Sequence, residues 1–186
     1  MQTNRRVVVS VSIVYLLAVA LWAGGLTVLG AVVAPTVFRI VPAPTSADAM
    51  TVVFGRFDGI AMTCAAVALV AEATLAVRGG KVTRLDLVRG IAAVVAGALA
   101  IAVGAWLSPG IAALHRAGAV RGSGEPGLAL ERLHRLAETA GKGQLLLLVV
   151  VLVLVLVKVS RPLPDTKAPD GKAKAASIDT ADRPTS

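Results

Sequence analysis

Between Leu145 and Val157 the chain reads LLLLVVVLVLVLV, without one polar side-chain atom. A run of this kind cannot stay in water. Joined to the less polar residues before it, it is long enough to cross a bilayer, whose ~30 Å hydrocarbon core takes about 20 apolar residues at ~1.5 Å each. Three other segments match it, so the spans fall at about 7–34, 59–77, 88–107 and 140–159. The expected fold is therefore all-α: a four-helix transmembrane bundle with extramembrane helix extensions. The membrane domain covers 1–160. From 161 to 186 the composition turns to Pro, Asp, Lys, Ala, Thr and Ser, the pattern of a disordered polar tail.

Composition narrows the partners. The chain is 56% hydrophobic, against ~45–50% for an ordinary soluble domain, and the excess lies in the long runs. The net charge is +8, from 19 Lys and Arg against 11 Asp and Glu. These cations stand between and beyond the apolar runs, with few aromatics beside them. That placement suits a lipid bilayer with anionic head groups and argues against nucleic acid. Cys64 is the single cysteine, which rules out an internal disulfide and any CxxC site. Arg5 and Arg6 followed by Ala18-Val19-Ala20 have the look of a secretion signal. The apolar run continues to Ala34, well past a signal's ~7–15-residue core, and the expectation is an uncleaved helix.

Along the chain, Ala23, Thr27, Gly30 and Ala34 recur at helical spacing and predict a close-packing face on the first helix. Pro35 kinks that helix or ends it near Phe38. Thr45 and Ser46 are positioned to cap the second, with Asp48 in its first turn. Ala92, Ala96, Ala100 and Gly104 form a line of small residues that predicts a central place for the third helix. Ser108-Pro109 reads as a kink or restart before a short helix to about Ala117. Gly118–Gly127 reads as a flexible loop. Leu128, Leu130, Leu133 and Leu136 mark an amphipathic stretch running straight into the fourth span as one rod. Four spans put both termini on one side. Arg5, Arg6, the basic loop of Arg78, Lys81, Arg84 and Arg89, and Lys158 and Arg161 mark that side as cytoplasmic. The expected location is the plasma membrane, the inner membrane in a bacterium.

Trp22-Ala23-Gly24-Gly25 followed by Val33-Ala34-Pro35-Thr36-Val37-Phe38 resembles the first helix of the transmembrane protein 205-like family. Gly55-Arg56-Phe57, Pro109-Gly110-Ile111-Ala112-Ala113-Leu114 and Leu133-His134 continue the pattern, over roughly residues 10 to 157. The resemblance implies a four-helix integral membrane protein and supplies no reaction. A more distant likeness to copper-resistance D-type membrane proteins implies metal handling. The chain departs from that type in its two histidines, three methionines and one cysteine.

Three groups of residues are candidate sites. Glu72 lies inside an apolar run and shares a helical face with Ala65, Ala68 and Ala76. An acid there costs ~2.5–3.5 kcal/mol on insertion scales and faces protein or water. It is either a proton or cation site or the partner of a basic residue of the second loop. Arg39, Arg56 and Asp58 stand at the outer ends of the first two helices, where they would bind an anionic ligand or head group, or snorkel and pair. Glu131, His134 and Glu138 fall on one helical face, with His115 across the loop. Glu131, His134 and His115 are the candidate metal ligands, against a solvated face in which Glu131 pairs with Arg135. No nucleophile elbow, phosphate loop, dinucleotide fingerprint or zinc motif is present. The leading reading is a non-enzymatic membrane protein without a resident cofactor that binds or passes a small solute or ion, or supports a membrane complex. The alternative is a metal-handling protein or membrane-embedded metalloenzyme built on the outer His/Glu group. A homo-oligomer and a partner membrane protein both remain open.

Overall fold

The computed structural model describes residues 2–78 and 82–160. The expected polar tail, Gly79-Gly80 and Lys81 lie outside the described residues. Among the described residues, four helices are long and apolar enough to cross a membrane: α1 (Asn4–Ile40), α2 (Thr45–Arg78), α3 (Arg84–Arg116) and α4 (Gly124–Lys158). Each is 33–37 residues long, or on the order of 50 Å at ~1.5 Å per residue. Their ends therefore project past a ~30 Å hydrocarbon core. The helices form a closed ring in which α1 packs on α2, α2 on α3, α3 on α4 and α4 on α1. One end of the bundle carries both helix termini, Asn4 and Lys158, and is called the terminal face. The connections at 41–44 and 117–123 lie at the other, the loop face.

Two helices carry a widened turn. In α1, residues Leu29–Val33 form a π-helical turn in which the Ala34 N–H donates to the Leu29 carbonyl. In α3, residues Val103–Leu107 do the same, with the Ser108 N–H donating to Val103. Pro35 and Pro109 supply the cause. A proline ring clashes with the carbonyl four residues before it and offers no N–H. Those carbonyls belong to Ala31 and Ala105, in the middle of the two widened turns. The chain relieves the clash by a π turn, so neither proline ends its helix. Ser108-Pro109 is thus a passage within α3, and α1 continues to Ile40.

The core is made of small residues and a few large ones. Ala61, Ala65, Ala68 and Ala71 of α2 meet Ala92, Ala93, Ala96 and Ala100 of α3. Tyr15, Val19 and Trp22 of α1 and Leu148 and Val151 of α4 fill the remaining space. Between helices in lipid, such close approach supplies the packing that a hydrophobic drive supplies in water. The small line of α3 is buried at Ala92, Ala96 and Ala100 and half-buried at Gly104, but α3 is not central: it has two neighbours in the ring, as every helix has. The expected face of α1 holds only at Ala23. Thr27 and Gly30 are exposed, and the residue in tight contact is Gly25, where a Cβ would run into the Phe57 ring. Between α3 and α4 the connection is shorter than the expected loop, because α4 already begins at Gly124. Pro126 fits its first turn, where the missing N–H has no partner to lose.

Candidate functional site

At the terminal face, polar side chains from all four helices meet in an otherwise apolar bundle. The Arg89 guanidinium on α3 grips the Glu72 carboxylate on α2, with Nη2 donating to Oε1 at 2.8 Å and Nε donating to Oε2 at 3.1 Å. Both side chains are largely buried, 8% and 14% exposed. Arg89 also lies 3.3 Å from Asp86, one turn back, and Asp86 accepts from Lys158 of α4. Asp86 is fixed locally, since it closes a capping box with Thr83 at the start of α3. The Arg89 guanidinium sits 5.7 Å from the Tyr15 ring centre on α1. The Tyr15 hydroxyl is buried beside the Glu72–Arg89 pair, without a partner in full hydrogen-bond geometry among the described residues. Of the two readings of Glu72, this geometry matches the ion pair with a basic residue of the second loop. An Arg–carboxylate fork satisfies both charges and closes this end of the bundle.

The other end is open. A cavity of about 580 Å³ lies between the helices toward the loop face. Its deep end reaches Ala61, Ala100 and Gln144, and its rim holds His115, Arg121 and His134. Both widened turns border it, through Leu29, Gly30 and Val103. At the deep end the Trp22 Nε1–H donates to Gln144 Oε1 at 3.2 Å, joining α1 to α4 inside the core. Above that bond the two helices part. From Leu29 onward the α1 backbone does not come close to α4, and it comes close to α2 again only beyond Ala34. The small residues Gly30 and Ala34 therefore make room for the cavity rather than a helix contact.

The sequence candidates separate in space. Asp58 lines the cavity and accepts from Ser108 Oγ at 2.5 Å. Arg39 and Arg56 are exposed, and among the described residues neither forms an ion pair. His115 and His134 do meet, with ring centres 5.8 Å apart in an edge-to-face arrangement. Glu131 does not join them. It accepts from Arg135 one turn on, as Glu138 does from Lys142. Among the described residues, no three His, Cys, Asp or Glu gather into a group that could hold a metal ion. Burial holds the His134 imidazole below its usual range, and the charges of Arg121 and His115 push the same way. His134 precedes the crossing part of α4 and stands at the rim. Three features escaped the sequence reading: the Trp22–Gln144 bond, the Tyr15–Arg89 contact and the Ser108–Asp58 bond. Ser108 and Gln144 are polar residues bordering apolar runs, which was the available signal.

The fold and this site define a class: an all-helical membrane protein of four helices, tied by ions at one end and hollow at the other. Residues 17–120, more than half of the chain, match a family model described as a domain of unknown function, DUF4149, and the chain belongs to that family. No curated protein and no solved structure matches the chain.

Proposed function

We propose that the protein is a multi-pass plasma-membrane protein, with both termini cytoplasmic, that binds a small solute in the loop-face cavity from the outer side. The single observation behind this reading is the cavity itself. At about 580 Å³ it falls within the ~300–1,000 Å³ of small-molecule sites. It is mostly apolar along its walls, polar at its rim and closed at its deep end by the Trp22–Gln144 bond, with the packed core and the Glu72–Arg89 pair below that. Transport across the membrane would require that pair to part, so binding is the primary event. The Lys and Arg residues flanking the spans support the orientation. The likeness to transmembrane protein 205-like proteins is consistent with this architecture.

Labelling with a thiol reagent tests the reading. In a Cys64→Ala background, Gly141→Cys on the cavity wall reacts with a membrane-impermeant maleimide added to intact cells. Ala76→Cys, at the terminal face, reacts only after permeabilisation. Gly141→Cys that reacts only after permeabilisation overturns the outward reading.

The second reading is metal handling, in line with the distant copper-resistance D likeness. It is favoured by the His115–His134 pair at the rim. Metal titration of purified wild type beside His134→Ala decides it. Stoichiometric metal lost in the variant establishes it, and no metal in either removes it.

A further inference from the structure

The shape of the cavity narrows its ligand, on the reading that the loop-face cavity binds one. Along α1 the lining runs from Leu26 to Phe38, and along α3 from Ala100 to His115. At ~1.5 Å per residue the cavity is on the order of 20 Å long and lies parallel to the helix axes. The volume of about 580 Å³ is spread along that length, so the cavity is an elongated slot, suited to a linear ligand. It lies in the direction in which lipid chains lie in the surrounding leaflet.

Its walls are mostly apolar, with Leu26, Leu29, Met50, Phe57, Val103 and Leu145, and the one acid among them, Asp58, is engaged by the Ser108 hydroxyl. Polar groups collect at the rim. Glu138 is held by Lys142 and Glu131 by Arg135. Among the described residues Arg121, His115 and His134 donate to no acceptor, and all three line the cavity. One unpaired guanidinium beside two imidazoles is a site for an anionic group. Above the Trp22–Gln144 bond α1 and α4 part, and by the spans expected from the sequence that gap opens at the outer edge of the leaflet, within reach of a lipid whose head group lies there.

We propose that the slot takes a single-chain anionic amphiphile from the surrounding leaflet, its hydrocarbon chain between Leu29 and Leu145 and its carboxylate or phosphate at Arg121, His115 and His134. A fatty acid and a lysophospholipid share this chemistry.

Two glycines of the wall give a clean test. A Cβ at Gly30 or at Gly141 meets nothing within 4 Å, so a leucine at either fills the slot without a clash at its first carbon. Purified wild type, Gly30→Leu, Gly141→Leu and Arg121→Gln are titrated with a long-chain fatty acid carrying a tail fluorophore, and in parallel with a fluorescent lysophosphatidic acid. Acetate and a long-chain alcohol serve as the head without the chain and the chain without the head. Thermal unfolding of each variant checks that it is folded, and the second glycine serves if the first fails.

The expected result is saturable binding, displaced by the unlabelled amphiphile and by neither control. It weakens at least ~10-fold in either leucine variant, and ~10-fold in Arg121→Gln with the loss of a charged hydrogen bond. The tighter of the two probes names the source. Binding that survives the leucine variants, binding indifferent to Arg121, and displacement by the alcohol each overturn the proposal. Failure of the underlying reading looks different. If Gly141→Cys is labelled from outside while no amphiphile binds, the outward cavity stands and the amphiphile falls. If Gly141→Cys is labelled only after permeabilisation, the outward orientation falls, and the amphiphile stands or falls on the titration of the purified protein alone.

Discussion

At the scale of single residues, the molecule departs from apolar packing at a few points, and each has a measurable consequence. Tyr15 buries its hydroxyl without a partner among the described residues. An unsatisfied buried group costs ~1–3 kcal/mol, so Tyr15→Phe, which keeps the ring over Arg89, should stabilise. The expected rise is roughly 2–4 °C in Tm by thermal unfolding in detergent, and a fall would mean that the hydroxyl has a partner in solution. His134 works in the opposite sense. Its proton is held less tightly in the folded protein than in the unfolded chain, because burial, Arg121 and His115 all disfavour the charged form. The unfolded chain therefore binds more protons in the window just below the ordinary imidazole value. Stability is present above that value and is lost as pH falls through it. Melting curves between pH 7.5 and 5.5 should show Tm falling with pH, and His134→Gln should flatten the slope. Glu72 shows how much of this level was legible in the sequence. An acid within an apolar run announces a partner, and a basic residue of the second loop was among the candidates. The cation–aromatic contact with Tyr15 was not legible, because it depends on how α1 is rotated against α3, and no local signal encodes that.

At the scale of elements, the two prolines carry the explanation. Pro35 and Pro109 were visible as interruptions, and the four apolar runs were visible as spans by length alone. Whether a proline ends a membrane helix or widens one turn of it is a tertiary matter. Here the neighbouring helix continues beyond the kink, and an exposed end inside lipid would leave carbonyls unsatisfied. The π turn is the cheaper solution, and from that turn onward α1 keeps clear of α4 and borders the slot. The small-residue face proposed for α1 failed beyond Ala23 for the same reason, since Gly30 sits within the widened turn. The close contact is instead Gly25 against Phe57. Any side chain at position 25 must displace that ring, so Gly25→Ala should cost ~1–3 kcal/mol, as overpacking does. Phe57→Leu on top of it should recover part of the loss. The comparison is made by chemical or thermal unfolding of the two variants and the double. Equal stability of Gly25→Ala and wild type would show that α1 and α2 lie too far apart in solution for the ring to meet position 25.

At the scale of the whole molecule, the ring has two hairpins, α1–α2 and α3–α4, and the terminal-face ions tie them together. Glu72 on one hairpin and Arg89 on the other form the joint, with Asp86 bracing Arg89 and Lys158 in turn pairing with Asp86 within that hairpin. Removing one partner of a buried pair leaves an uncompensated charge and costs about 3–5 kcal/mol. Glu72→Gln and Arg89→Gln should each lower the folded yield sharply, whereas the double variant should recover much of it, because two neutral amides leave no orphan charge. Reversing the pair is a stricter test. Glu72→Arg alone sets two cations face to face, and Arg89→Glu alone sets a third carboxylate against both Glu72 and Asp86. The swapped protein restores attraction across the joint but keeps the new acid one turn from Asp86. Recovery should therefore be real and incomplete, and Asp86→Asn added to the swap should improve it. Size-exclusion profiles of the detergent-extracted variants report the folded fraction. Singles no worse than wild type would mean that the hairpins are held by their alanine faces alone, and that the charged joint serves something other than assembly.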